Sequence, residues 1–100
     1  MVSAEQGSIL KVNGISVPVI VVSKSFFNTS GQAIVCPIYR DIAPGPLHIE
    51  LETEPVKGCV LCEQVKYIDL RRRGFTKVTD ASYYDVMNIS DAIMGIFDYQ

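Results

Sequence analysis

The chain has no tryptophan, a single histidine (His48) and only three cysteines (Cys36, Cys59 and Cys62) in its 100 residues. One histidine and an odd cysteine count leave no second Cys/His pair for a zinc site and no even disulfide framework. Cys59 and Cys62 do have C-x-x-C spacing. In a strand, however, residues three apart point to opposite faces and cannot share a metal. All three cysteines read as small buried apolar residues. Long hydrophobic runs are also missing: the longest, VPVIVV, is far short of the ~20 residues that span a bilayer. The first residues, MVSAEQGS, carry no apolar signal-peptide core, so no membrane association is expected and the expected location is cytoplasmic. A glycine-rich phosphate loop, a nucleotide fingerprint and a Ser/His/Asp set are all lacking, which argues against cofactor enzymology and leaves neither cofactor nor metal expected. An excess of positive charge is lacking too. The net charge of −2 excludes a generally basic nucleic-acid binder but allows a local basic patch.

What is present is a globular composition, 48% apolar and 20% charged, in a chain sized for one domain over residues 1–100. Residues 8–13 alternate apolar and polar as a half-buried strand, and Asn13-Gly14 signals a tight two-residue hairpin. Residues 15–22 read as a second strand in which Pro18 demands an edge or a bulge. Residues 23–31 are a polar turn, with Ser23 capping one helical turn and Phe26 and Phe27 anchoring it in the core. Strands follow at 32–38, 47–53, 58–65 and 75–78. A loop containing Pro44, Gly45 and Pro46 separates the first two of these, and one helical turn over Asp69–Gly74 precedes the last. In the 47–53 strand, Leu47, Ile49 and Leu51 face one way and His48, Glu50 and Glu52 the other. From Asp80 the period changes. Val86, Ile89, Ile93, Ile96 and Phe97 recur at helical spacing, with Asp85, Asn88, Asp91 and Asp98 on other faces. Thr79 or Asp80 is the expected N-cap, and the apolar stripe is expected to cover core or a dimer interface. Six short strands and a terminal helix predict a mainly β, α+β fold: a small antiparallel sheet curled into a barrel, closed to remove its edges, with the helix plugging the open side.

Two blocks of sequence carry a family resemblance. PVIVVSKSFFNTSGQAIVCPI resembles the second strand, turn and third strand of the MazF/PemK/Kid toxins, with Phe27-Asn28 on the family's F-N and Pro37-Ile38 on its P-I. GCVLCEQVKYIDLRRRG is similar to the later family block at Gly58, Val60, Gln64, Ile68, Asp69, Arg73 and Gly74. The resemblance implies an SH3-like barrel of the CcdB/MazF/PemK kind, a homodimer, and the toxin half of a bacterial or phage-borne toxin–antitoxin pair. It also implies metal-independent, sequence-selective cleavage of single-stranded RNA, and a disordered antitoxin segment that covers the RNA groove. The usual carriers of that chemistry are altered here. The family's arginine position is Val17 and its threonine position is Tyr39. A second arginine position is Leu61, the neighbouring aspartate is Glu63, and the glycine-rich loop after strand one is absent. Weakened or lost cleavage is therefore expected. The alternatives are a non-catalytic RNA- or peptide-binding module and a CcdB-like toxin aimed at gyrase; the latter fits less well with a tail, GIFDYQ, that lacks tryptophan.

Among the candidate residues, Tyr39 can hold a phosphate or act as a weak acid, and Arg40 can supply charge in place of the missing pair. The other reading of this pair is an aromatic anchor beside a solvated arginine. Glu63 is a candidate general base, or else a surface ion pair with Lys66. Lys66, Arg71, Arg72, Arg73 and Lys77 form the densest basic cluster, beside Tyr67, which can stack on a base. Against this, Asp69 and Arg73 look like an ion pair that orders the turn. Asn28 and Gln64 complete the RNA- or partner-binding set, with Phe27-Asn28 and Gln64 expected as walls of one cleft. His48 reads as a solitary surface histidine.

Overall fold

The computed structural model describes residues 4–25 and 27–97. Phe26, expected as a core anchor, and the tail residues Asp98, Tyr99 and Gln100 lie outside the described residues. The elements in chain order are β1 (Ser8–Val12), β2 (Val19–Val21), a 3-10 turn (Phe27–Ser30), β3 (Gln32–Tyr39), β4 (His48–Glu50) and β5 (Cys59–Leu61). They are followed by β6 (Lys66–Asp69), α1 (Leu70–Arg73), β7 (Phe75–Asp80) and α2 (Tyr83–Phe97).

All strand pairs are antiparallel, in the order β4-β5-β3-β2-β1-β7, with β6 also pairing β3. The α+β fold is the expected one. The sheet curls but does not close, because its end strands β4 and β7 do not pair with each other. The first loop also departs from expectation. The chain makes no two-residue hairpin: β2 is only Val19–Val21, and residues 13–18 form a loop between β1 and β2. Pro18 accounts for this, since it cannot donate to the ladder. Its carbonyl accepts from Ile38 N at 2.9 Å just before the strand begins.

Pairing along β3 explains a second difference. β3 is eight residues long, and one of its edges takes two short strands in succession. β6 pairs with Gln32 to Val35, and β5 with Ile38 and Tyr39. The expected strand over 58–65 therefore breaks at Cys62, and Lys66–Asp69 is a seventh strand. The 3-10 turn is also held differently from expectation. Ser23 does not cap it; its hydroxyl accepts from Ile34 N at 3.0 Å and donates to the Asn28 side chain.

Period-two alternation divides the core between the two faces of the sheet. Leu10, Val12, Val19, Val21, Ala33 and Val35 pack with Ile68 and Leu70 on one face. Ile9, Ile20, Cys36, Ile38, Val60 and Cys62 pack on the other with Leu51 and Ile89. Each such aliphatic side chain, fully buried, stabilises the fold by ~1.5–3 kcal/mol relative to exposure. The helix α2 lies on this second cluster through Ile89, Ala92 and Ile93. Its stripe is only partly core: Ile96 and Phe97 are exposed, as are Met87 and Met94. The N-cap is Ser82, whose hydroxyl accepts from Asp85 N at 3.1 Å; Thr79 and Asp80 are still in β7. No helix among the described residues is long and apolar enough to cross a membrane.

Candidate functional site

The first face of the sheet opens at one end into a groove of about 310 Å³. Alternation supplies its floor: Val35, Pro37 and Tyr39 from β3 point the same way, with Val19 beside them. One wall is the loop after β1, through Gly14, Ile15, Ser16 and Val17. The other is Gln64, Lys66 and Ile68, again at every second residue along β6 and its approach. Arg73, the last residue of α1, closes the end. Its guanidinium runs so close to Gly14 that a Cβ there would sit 3.3 Å from Nη1, and Gly14 also has φ +87°. Glycine lets both the loop and the arginine take these positions.

The groove is therefore lined by two cations, a phenol, an amide and a hydroxyl over an apolar floor. No Asp, Glu or His appears among its described lining residues. Such a surface attracts phosphate oxygens and offers hydrogen bonds to base edges.

The expected residues divide accordingly. Tyr39, Gln64 and Lys66 come together in the groove. Arg40 does not; it lies exposed one residue past the strand end, so Arg73 supplies the positive charge near Tyr39 instead. The Asp69–Arg73 ion pair does not form. Asp69 caps α1 by accepting from Arg72 N at 3.2 Å, which leaves Arg73 to reach the groove. Arg71 and Arg72 are exposed on α1 outside the lining, and Lys77 pairs with Asp80 at 2.8 Å. Asn28 is not a groove wall. It is buried, its amide donates to Ala4 O at 3.0 Å and Ser23 O at 3.1 Å, and its role is to hold the 3-10 turn. Phe27 is not a groove wall either, and it is 40% exposed rather than a core anchor; its ring meets Tyr67 on the opposite side of β6.

Glu63 lies in the exposed turn between β5 and β6 and is not among the groove's lining residues. Its partner is His48 Nε2 at 3.1 Å, not Lys66. His48 pairs across the ladder with Leu61, which brings it within reach of Glu63. His48 is thus not solitary. The hydrogen bond from His48 holds the Glu63 carboxyl below the usual carboxylate range, which makes it a weaker proton acceptor. The residue that sequence reasoning placed elsewhere was Arg73. The available signal was the Arg-Gly that ends the second family block.

The three cysteines are buried and free, and no group of three His, Cys, Asp or Glu that could hold a metal occurs among the described residues. Burial pushes the Cys36 thiol up to about 12 and the Cys62 thiol up to about 11.

Over residues 10–97 the sequence is similar to the family described as PemK-like, MazF-like toxin of type II toxin-antitoxin system. No curated protein matches it in sequence. Among solved structures it is similar to MazF in a MazE-MazF complex from Deinococcus radiodurans, at TM-score 0.88 and 18% identity over 100% of both chains. MazF alone from the same organism gives TM-score 0.85 at 18% identity, over 97% of this chain and 98% of that one. A Mycobacterial endoribonuclease in complex with its cognate antitoxin gives TM-score 0.81 at 12% identity over 93% of each chain. At these identities the structural likeness is one of fold.

Proposed function

The chain belongs to the PemK-like, MazF-like toxins of type II toxin-antitoxin systems, and we propose that it acts by gripping single-stranded RNA in the groove and cleaves that RNA only weakly. The observation that carries this reading is the lining itself: Lys66, Arg73, Tyr39 and Gln64 share the groove with no Asp, Glu or His among its described lining residues. Lys66 and Arg73 hold a backbone phosphate, and they stabilise the charge that builds on it during transesterification. The Tyr39 phenol donates to the same phosphate or to the leaving oxygen. Gln64 presents both a donor and an acceptor to a base edge. What the lining does not offer is a group to take the ribose 2′-hydroxyl proton near neutral pH. The loss of general-base help costs about 10²–10⁴ in rate, so binding outlasts cleavage.

The same reading places the protein in the cytoplasm as a homodimer neutralised by an antitoxin peptide that lies in the groove. The antitoxin complexes among its structural relatives support that partner. The outward apolar side chains of α2, Met87, Met94 and Phe97, support a second copy.

The test uses purified protein and a long single-stranded RNA in EDTA, with gel shifts and mapped 5′ ends. A shift is expected, with cuts at a short recurrent sequence only at high protein concentration. Lys66→Ala and Arg73→Ala should each weaken the shift about tenfold, the size of one charge-assisted hydrogen bond, whereas Glu63→Gln should leave it unchanged. The absence of both a shift and cuts would overturn the reading and point to a protein target. Rapid cleavage at low protein concentration would overturn the weak-nuclease part.

A further inference from the structure

Strand alternation leaves a second surface on the back of β6. Lys66 and Ile68 face the groove, so Tyr67 faces away from it. Its ring meets Phe27 edge to face, with centroids 6.2 Å apart and planes at 76°. Both rings stay accessible, Tyr67 at 63% and Phe27 at 40%. Arg71 lies against Gly31, next to the turn that carries Phe27; a Cβ on Gly31 would meet Arg71 Cβ at 3.1 Å and Nε at 3.3 Å. Among the described residues β6 pairs only with β3, so its outer edge is open and joins the groove face to this aromatic face.

We propose that this face is a stacking platform for single-stranded RNA as it leaves the groove; the proposal rests on the groove binding RNA. The backbone held by Lys66 and Arg73 turns over the open edge of β6. The next base stacks on Tyr67, Phe27 buttresses that ring from its edge, and Arg71 meets the following phosphate. The alternation of cation, ring and cation matches the alternation of phosphate and base along a strand. It is also a local positive bracket in a chain whose net charge is −2, so it favours an anionic polymer.

The experiment compares a trinucleotide, too short to run from the groove across β6 to Tyr67 and Arg71, with a nonanucleotide long enough to do so. Tyr67→Ala should weaken nonanucleotide binding about tenfold, the scale of one base–aromatic stack, and leave trinucleotide binding within about twofold. Tyr67→Phe should restore both. Since the chain has no tryptophan, Tyr67→Trp places a single reporter on the platform. Its fluorescence should be quenched by the nonanucleotide and not by the trinucleotide. If wild type binds both RNAs with equal affinity, or if Tyr67→Ala changes nothing, the platform is overturned while the groove reading stands. If neither RNA binds, the groove reading falls and the platform with it. Quenching by an acidic peptide alone, or by rising protein concentration alone, assigns the face to a protein partner or a second copy and overturns the proposal.

Discussion

Cys36 and Cys62 sit in the cluster beneath α2, among Ile20, Ile38 and Val60. Burial disfavours the thiolate at both, with Cys62 and Glu63 adding repulsion at Cys36 and Glu63 adding it at Cys62. The consequence is a pH dependence on the alkaline side. Above about pH 9 the thiols of the unfolded chain ionise, while the folded chain keeps these protons to about 12 at Cys36 and about 11 at Cys62. The unfolded state then binds fewer protons than the folded one. The contribution of the two thiols is therefore complete below pH 9 and is lost as pH rises through the folded values. Urea midpoints between pH 8 and pH 10.5 should fall more steeply for wild type than for a Cys36→Val, Cys62→Val variant; equal slopes would overturn the assignment. The burial of these cysteines was legible in the sequence, because they stand in apolar runs with no partner set for metal. The roles of Asn28 and Arg73 were not. An asparagine in a polar turn looks the same in sequence whether its amide meets solvent or Ala4 O and Ser23 O. An arginine four residues after an aspartate looks like a pair until the aspartate is seen capping the turn.

Among the elements, α2 is tied to the loop after β4 by a polar knot as well as by its apolar stripe. The Asp85 carboxylate, fully buried, accepts from Glu52 N at 3.1 and 3.2 Å and from the Thr53 hydroxyl. The same hydroxyl accepts from Ser82 N at 2.9 Å. Asp85→Ala removes the acceptor that these part-buried donors share and should destabilise the fold by ~1–2 kcal/mol, read from urea unfolding. Thr53→Ala acts on the same knot, so the double variant should lose less than the two single losses together, with a coupling of ~0.5–3 kcal/mol. Strict additivity would show that the two side chains act separately. Helical period alone revealed α2 and its start to within a few residues. It could not reveal that Asp85 turns inward, because the groups it satisfies belong to a loop more than thirty residues earlier. β6 was hidden for a related reason. Cys62-Glu63 is not a typical turn dipeptide, and the break there is imposed by β3, which takes two partners along one edge.

At the scale of the whole molecule, the two family blocks contain the floor and one wall of the groove, Val35 and Pro37 in the first and Gln64 and Lys66 in the second, while Phe27-Asn28, expected as the opposite wall, lies outside the lining. The opposite wall, the loop over 13–18, could not be anticipated: where the sequence suggested a tight hairpin, Pro18 delays β2 and leaves a loop that lines the groove together with Tyr39. The charge balance also changes meaning with scale. A chain of net charge −2 would repel a polyanion at long range, yet Lys66 and Arg73 in the groove and Arg71 behind it form one local positive track. Binding carried by that track must release counterions, by about 0.7 per phosphate neutralised on a single strand. Three cations then give a log–log slope of RNA affinity against salt of about −2, and Lys66→Ala or Arg71→Ala should each bring it nearer zero by about 0.7. Tyr67→Ala should lower affinity at every salt concentration without changing the slope, because stacking releases no counterions. Titrations from 50 to 300 mM salt separate the two effects. A wild-type slope near zero would mean that the net negative charge of the chain governs and that the cations are no track at all.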